Sequence, residues 1–144
     1  MILMKVKDVM TKNVAYVNPA ATISETAQLM QQHNVGSIPV CDQSGVVGIV
    51  TDRDIVVRSI AHGKNPQQTK VTDIMTTGIT TVSPDMEMSD VASKMSSSQI
   101  RRVPVVENNS LVGIVALGDV AVDAKFNTEV ADTLSNISKP SKPQ

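Results

Sequence analysis

Apolar and polar positions fall into a short series of blocks that the chain runs through twice. The β-prone stretches 14–17 and 79–82 each end at a proline, Pro19 or Pro84, which predicts two short strands. Ile23, Ala27 and Met30 then stand at i, i+4 and i+7, as do Met88, Ala92 and Met95, and each set predicts an amphipathic helix. Thr22, with Glu25 three residues on, has the spacing of a capping box for the first of them. Two apolar runs follow in each block, split by Asp42-Gln43-Ser44-Gly45 or by Glu107-Asn108-Asn109-Ser110, the pattern of a hairpin. Pro39 and Pro104 mark a strand start or a sheet edge. A last helical stretch is expected near 52–61 and near 119–126, with Gly63 ending the first.

The predicted fold is α/β (α+β), with strand, helix, strand, strand, helix in each copy. A shift of 65 positions lays 5–60 on 70–125 without a gap, and 18 of the 56 aligned residues are identical. They include Asp8/Asp73, Met10/Met75, Pro19/Pro84, Pro39/Pro104, Gly48/Gly113 and Asp54/Asp119. Identity spread over that length reads as duplication rather than as biased composition. The expected organisation is repeat 1 at 5–62, a linker at 63–69 and repeat 2 at 70–126. A short helix with a disordered tail follows at 127–144. Val130, Leu134 and Ile137 give that helix its apolar face, suited to the core or to a second subunit. A three-stranded unit of roughly 55 residues is near the lower limit for an independent core, so the two copies are expected to pack sheet to sheet about an approximate two-fold.

Composition narrows the choices. Apolar residues make up 41% of the 144, but Tyr16 and Phe126 are the only aromatics, so packing rests on aliphatic side chains and methionine. A net charge of −1, a pI near 6.1 and the lack of stacking aromatics argue against nucleic acid as a partner. One cysteine, Cys41, allows no internal disulfide and fits a reducing, cytoplasmic compartment. Early charges at Lys5, Lys7 and Asp8 interrupt any signal-peptide core, and no apolar run has the roughly 18 residues of a membrane span.

"DVMT" near the start of the first copy and "DIMT" near that of the second, "IPV" and "VPV" in the middle, and "GIVTDRD" and "GIVALGD" near the ends stand in the same order and spacing. With these motifs the chain resembles the cystathionine β-synthase (CBS) domain family, as a tandem CBS pair (Bateman module), over residues 5 to about 126. The resemblance implies two clefts between the repeats that take adenosine-containing ligands, and a regulatory rather than catalytic role. AMP, ADP, ATP and S-adenosylmethionine are the regulatory ligands it suggests, with no catalytic cofactor. It also implies a homodimer and a regulated partner protein that the sequence does not name.

Residue by residue, Thr51 and Asp54 stand where a strand turns into a helix. The resemblance gives Asp54, and Asp119 in the second copy, the vicinal hydroxyls of a ribose, and gives Thr51 a phosphate. The same Thr-x-x-Asp spacing is that of a helix cap, and both readings stay open here. Ala116 has no hydroxyl where the first copy has Thr51, whereas Arg101 and Arg102 stand where it has Gly36 and Ser37. The family assigns such basic residues to phosphate; the alternative is a solvated charge guarding an edge strand. Val17, Val35, Val82 and Ile100 are the family's candidates for an adenine slot and equally good core residues. His33, His62 and Cys41 share no metal-ligand spacing, and Met10 and Met75 read as packing anchors.

No catalytic motif emerges: no Gly-x-Ser-x-Gly, phosphate loop, His-Glu-x-x-His or Gly-x-Gly-x-x-Gly is present. The reading is a stand-alone module that senses an adenosine-containing ligand. The alternative is a structural dimerisation unit that has lost its ligand, a reading that Ala116 favours.

Overall fold

The first described turn of helix, α1 (Val6–Val9), precedes the first long helix, α2 (Ile23–His33), in the computed structural model, which describes residues 4–124 and Ile137. Thr22 opens α2: its backbone is extended and its hydroxyl accepts the Glu25 N–H at 3.1 Å. That satisfies one of the donors a first turn leaves without an intrahelical partner. Asn34, at φ 53°, closes the helix in the left-handed region. The buried stripe is Ile23, Thr26 and Met30, and Ala27 is exposed, contrary to the periodicity reading. Thr26 goes inside because its hydroxyl donates to the Thr22 carbonyl at 3.0 Å, and in shape it matches Val91, its counterpart in the second copy.

Strands β1 (Ser37–Asp42) and β2 (Gly45–Thr51) follow as an antiparallel hairpin with Ser37 opposite Thr51. A short α3 (Asp52–Asp54) continues as a π-helical turn over Ile55–Ser59 and a 3₁₀ turn over Ile60–His62, ended by left-handed Gly63 as expected. The second copy gives α4 (Met88–Ser98), the hairpin β3 (Arg102–Glu107) and β4 (Ser110–Ala116), and α5 (Leu117–Ala124). Here the apolar face is as expected, with Met88, Val91, Ala92 and Met95 all buried. Asn108 and Asn109 both have positive φ, the conformation a tight two-residue hairpin turn requires.

The strands expected at 14–17 and 79–82 shrink to one paired residue each. Val17 bridges Val40 in parallel and Val82 bridges Val105, so each sheet is a two-stranded hairpin with a single residue added along one edge. A second single residue closes the other edge: Thr76 bridges Ile49, and Thr11 bridges Ile114, both antiparallel.

Those last two bridges show where the start of each repeat packs. One compact unit comprises Val14–Ile79 with Asn108–Leu111; the other comprises Met1–Asn13, Thr80–Glu107 and Val112–Gln144. The unit carrying Asp54 thus takes its edge segment, 71–76, from the start of the second repeat. The unit carrying Asp119 takes its edge segment, 6–11, from the start of the first. The repeat of sequence and the compact unit of structure therefore differ by an exchange of openers.

Within the Asp54 unit, Val71 and Ile74 are buried with Val17, Ile23, Ile38, Val40 and Val50. Within the Asp119 unit, Val6 is buried with Val82, Met88, Met95, Val103, Val115 and Val120. Ile137, a helical residue 5% exposed, joins that second core; Val130, Leu134 and the tail from 138 lie outside the described residues.

Glycine makes the openers fit. A Cβ on Gly48 would meet Met75 Sδ at 2.7 Å and the Thr76 carbonyl at 2.9 Å; one on Gly113 would meet Met10 Sδ and the Thr11 carbonyl at the same distances. Gly48→Val and Gly113→Val should each destabilise the protein by about 1–3 kcal/mol through overpacking against main chain. Gly118, in α5, has nothing within 4 Å of an added Cβ, so Gly118→Ala should instead gain up to about 1 kcal/mol. Shifts in the urea midpoint at constant m distinguish these outcomes.

Candidate functional site

The site in the Asp54 unit is assembled where β1 begins and β2 ends. Asn34 turns the chain out of α2, and the Val35 N–H returns to the Met30 carbonyl at 3.0 Å, which sets Val35, Gly36 and Ser37 beside the end of β2. The Asp52 N–H donates to the Gly36 carbonyl at 2.9 Å, tying the helix start to that segment. Thr51 and Asp54 then cap each other. The Thr51 hydroxyl accepts the Asp54 N–H at 3.0 Å, and Asp54 Oδ2 accepts the Thr51 N–H at 2.9 Å. The helix-cap alternative is therefore realised, and it uses one carboxylate oxygen.

Asp54 is only 9% exposed. Its second oxygen, Oδ1, lies 3.7 Å from Arg58 Nε, one helical turn on, and Arg58 Nη1 donates to the Ile74 carbonyl at 3.3 Å. Ser37, opposite Thr51 and 8% exposed, has a hydroxyl with no partner among the described residues, as does the buried Ser59. A buried hydroxyl without a hydrogen bond calls for an explanation, and a ligand atom is one.

The Asp119 unit repeats the backbone and changes the side chains. The Leu117 N–H donates to the Arg101 carbonyl at 2.9 Å, as Asp52 does to Gly36, and Asp119 Oδ2 accepts the Ala116 N–H at 2.8 Å. Ala116 returns nothing, so half of the cap is missing. Arg101 and Arg102 are both exposed, and β3 begins at Arg102. Ile100 is half-buried, placed like Val35 by an N–H to the Met95 carbonyl after left-handed Gln99.

The structure thus gathers Val35, Thr51 and Asp54 in one unit and Ile100, Arg101, Arg102 and Asp119 in the other. Val17 and Val82 pair farther along the sheets, with Val40 and Val105, and are buried in the two cores. Ordinary packing accounts for them. Sequence reasoning passed over Ser37, Asp52 and Arg58; only Arg58 had a signal, its place four residues after Asp54. Cys41 is half-buried, and burial with the neighbouring Asp42 carboxylate pushes its thiol pKa up, away from a nucleophile's range. Among the described residues no three His, Cys, Asp or Glu side chains gather as metal ligands, and no described helix is long and apolar enough to cross a membrane.

Comparison with known proteins agrees with the repeat. The family model described as CBS domain matches residues 6–60 and again 71–122. The chain is 49% identical over 133 residues to CBS domain-containing protein YhcV of Bacillus subtilis, covering 92% of this chain and 94% of that one. It is 30% identical to inosine-5′-monophosphate dehydrogenase of Methanocaldococcus jannaschii over 89% of this chain but 25% of the enzyme. Among solved structures, a CBS domain pair in complex with 5′-methylthioadenosine and S-adenosyl-L-methionine superimposes with a TM-score of 0.76 at 30% identity, covering 86% of this chain and 98% of that one.

The two caps make a direct stability comparison. Thr51→Ala should cost about 0.5–2 kcal/mol, and Ala116→Thr should gain a similar amount by completing the second box. Thermal unfolding of the two variants, read as opposite shifts in Tm, checks this.

Proposed function

The chain belongs to the CBS domain family as a tandem pair, and from that premise we propose that it is a non-catalytic regulatory module that binds an adenosine-containing ligand. The observation that carries the reading is the division of labour within the carboxylate that both repeats carry. Asp54 and Asp119 each give Oδ2 to their own main chain. The other oxygen of Asp119 makes no bond to the chain among the described residues, and that of Asp54 has only Arg58 at 3.7 Å. An oxygen left over on a carboxylate whose orientation is already fixed suits the vicinal hydroxyls of a ribose, which donate hydrogen bonds.

Val35 and Ile100, half-buried beside each helix start, supply apolar surface for the base. Arg101 and Arg102 supply charge for a phosphate. The complex of a similar CBS pair with 5′-methylthioadenosine and S-adenosyl-L-methionine supports the ligand class. The match to one quarter of an enzyme of other chemistry supports a role as a regulatory part. Regulation would follow from unequal affinity of the ligand for two arrangements of the module, reported to a partner protein.

A second reading, a dimerisation unit that needs no ligand, draws on Val56, Val57 and Ile60, which are 58%, 43% and 54% exposed on the helix after Asp54. A second copy of the chain is the partner such an apolar face would take.

Thermal shift and calorimetry with AMP, ADP, ATP and S-adenosylmethionine separate the readings. At a hundred times its Kd a ligand should stabilise the protein by about 2.7 kcal/mol. Asp54→Asn and Asp119→Asn keep an oxygen for the cap but replace the other with an amide donor. Each should lose ligand affinity about tenfold or more, while the lost first-turn charge costs about 1 kcal/mol of stability. No response to any of the four ligands, with a dimer in solution, would leave the second reading standing.

A further inference from the structure

The two units place opposite charges at one equivalent point. In the Asp54 unit the Asp52 carboxylate folds back over Gly36, so that a Cβ on Gly36 would stand 3.0 Å from Asp52 Oδ2. Asp52 Oδ1 meanwhile accepts the Arg53 N–H at 2.8 Å, which holds the carboxylate in that position. In the Asp119 unit the backbone is the same, with the Leu117 N–H on the Arg101 carbonyl, yet the residue in place of Gly36 begins a guanidinium side chain and Leu117 brings no charge. Gly36 does not have a left-handed φ; glycine serves here by leaving room for a carboxylate.

The adjoining position diverges in the same sense. Arg102, exposed, stands where the Asp54 unit has Ser37, whose buried hydroxyl lacks a partner. Ser37 and Thr51 are cross-strand partners and so present their side chains to one face, the face on which Asp54 caps Thr51. A neutral hydroxyl therefore waits for a bond where the other unit offers a cation. Two other arginines follow Asp52 in the same helical segment. Arg58 is engaged by Asp54 Oδ1 and the Ile74 carbonyl, and Arg53 is exposed, about 100° further round the helix.

We propose that Asp52 is a specificity-determining residue. The Asp54 unit selects adenosine derivatives that are neutral or cationic at the 5′ position, and the Asp119 unit selects 5′-phosphorylated ones. The inference rests on the reading of Asp54 and Asp119 as diol acceptors. Asp52 and Asp54 stand in the same first helical turn, so a 5′ phosphate on a ribose held by Asp54 would meet a second, fixed negative charge. Ser37 Oγ gives a neutral substituent the bond it needs.

Calorimetry with adenosine and AMP tests this in two backgrounds. In Asp119→Asn, where the Asp54 unit reports, adenosine should bind about tenfold or more tighter than AMP, and the gap should shrink at high salt. Adding Asp52→Asn should tighten AMP until the two differ by less than about threefold, with adenosine unchanged. In Asp54→Asn, where the Asp119 unit reports, AMP should be the tighter ligand and Arg101→Gln should weaken AMP alone. AMP binding the Asp54 unit as tightly as adenosine, or a gap that Asp52→Asn leaves in place, overturns the charge selection while the diol reading stands. Failure of the unmutated protein to bind either compound overturns the diol reading, and the selection with it.

Discussion

Two antiparallel bridges, Thr76 to Ile49 and Thr11 to Ile114, hold each unit together at the edge where the opposite repeat enters it. Each is made by a pair of main-chain bonds of 2.9 to 3.0 Å, and each lies beside a glycine whose missing side chain leaves room for a methionine sulfur and a carbonyl. In each hairpin that edge is closed by the opposite repeat and not by its own. The segment that precedes 14–17 belongs to the Asp119 unit, and the one that precedes 79–82 to the Asp54 unit. Val6 and Val71, fully buried in the two cores, turn this edge contact into shared hydrophobic packing. Each core is therefore incomplete without residues from the other copy.

That constraint explains why the repeated motifs lie where they do. The Asp-x-Met-Thr openers and the Gly-Ile-Val strand are two sides of one contact, so both persist in both copies. Pro39 and Pro104 accept through their carbonyls from Val17 and Val82, a bond that needs no N–H from the proline itself. The strand then runs into a helix start fixed by the aspartate cap. In this way the same contact that completes the sheet also positions the end of β2 or β4, and with it Asp54 or Asp119.

The sequence was most legible where physics is local. Hairpin turns, the Thr22 cap and the α4 stripe follow from residues a few places apart, and they stand where the pattern put them. Ala27 failed as a core position although its counterpart Ala92 is buried beside Val91, a difference that periodicity within the helix does not carry because it depends on what packs outside it. The strands at 14–17 and 79–82 were overestimated because a β-prone run extends only as far as a neighbour pairs with it, and only Val17 and Val82 find one. The opener exchange was illegible for a different reason. Segments 6–11 and 71–76 are alike, and so are the strands they meet, so either pairing satisfies the same pattern. Ser37, Asp52 and Gly36 were passed over because a small or acidic residue near a turn carries no periodic signal; their meaning comes from the comparison of two superimposable backbones.

Retention of aspartate in both copies is weaker support for a ligand than it first looks, because the cap alone would preserve it. Asp119 has lost its hydroxyl partner at Ala116 and still holds the main chain through Oδ2. The cap draws on the negative charge as well, since a carboxylate in the first turn complements the helix dipole, but it occupies only one of the two oxygens. The ligand reading concerns the other oxygen, which faces away from the cap. Around that oxygen the copies have been free to diverge, since all but one of Gly36, Ser37, Asp52 and their counterparts keep their side chains out of the two cores. The exception is Leu117, which packs against the Asp119 unit's core where Asp52 stays at the surface. At that position the Asp119 unit has apolar packing where the Asp54 unit has a surface carboxylate, so the two units differ there in charge and in packing together.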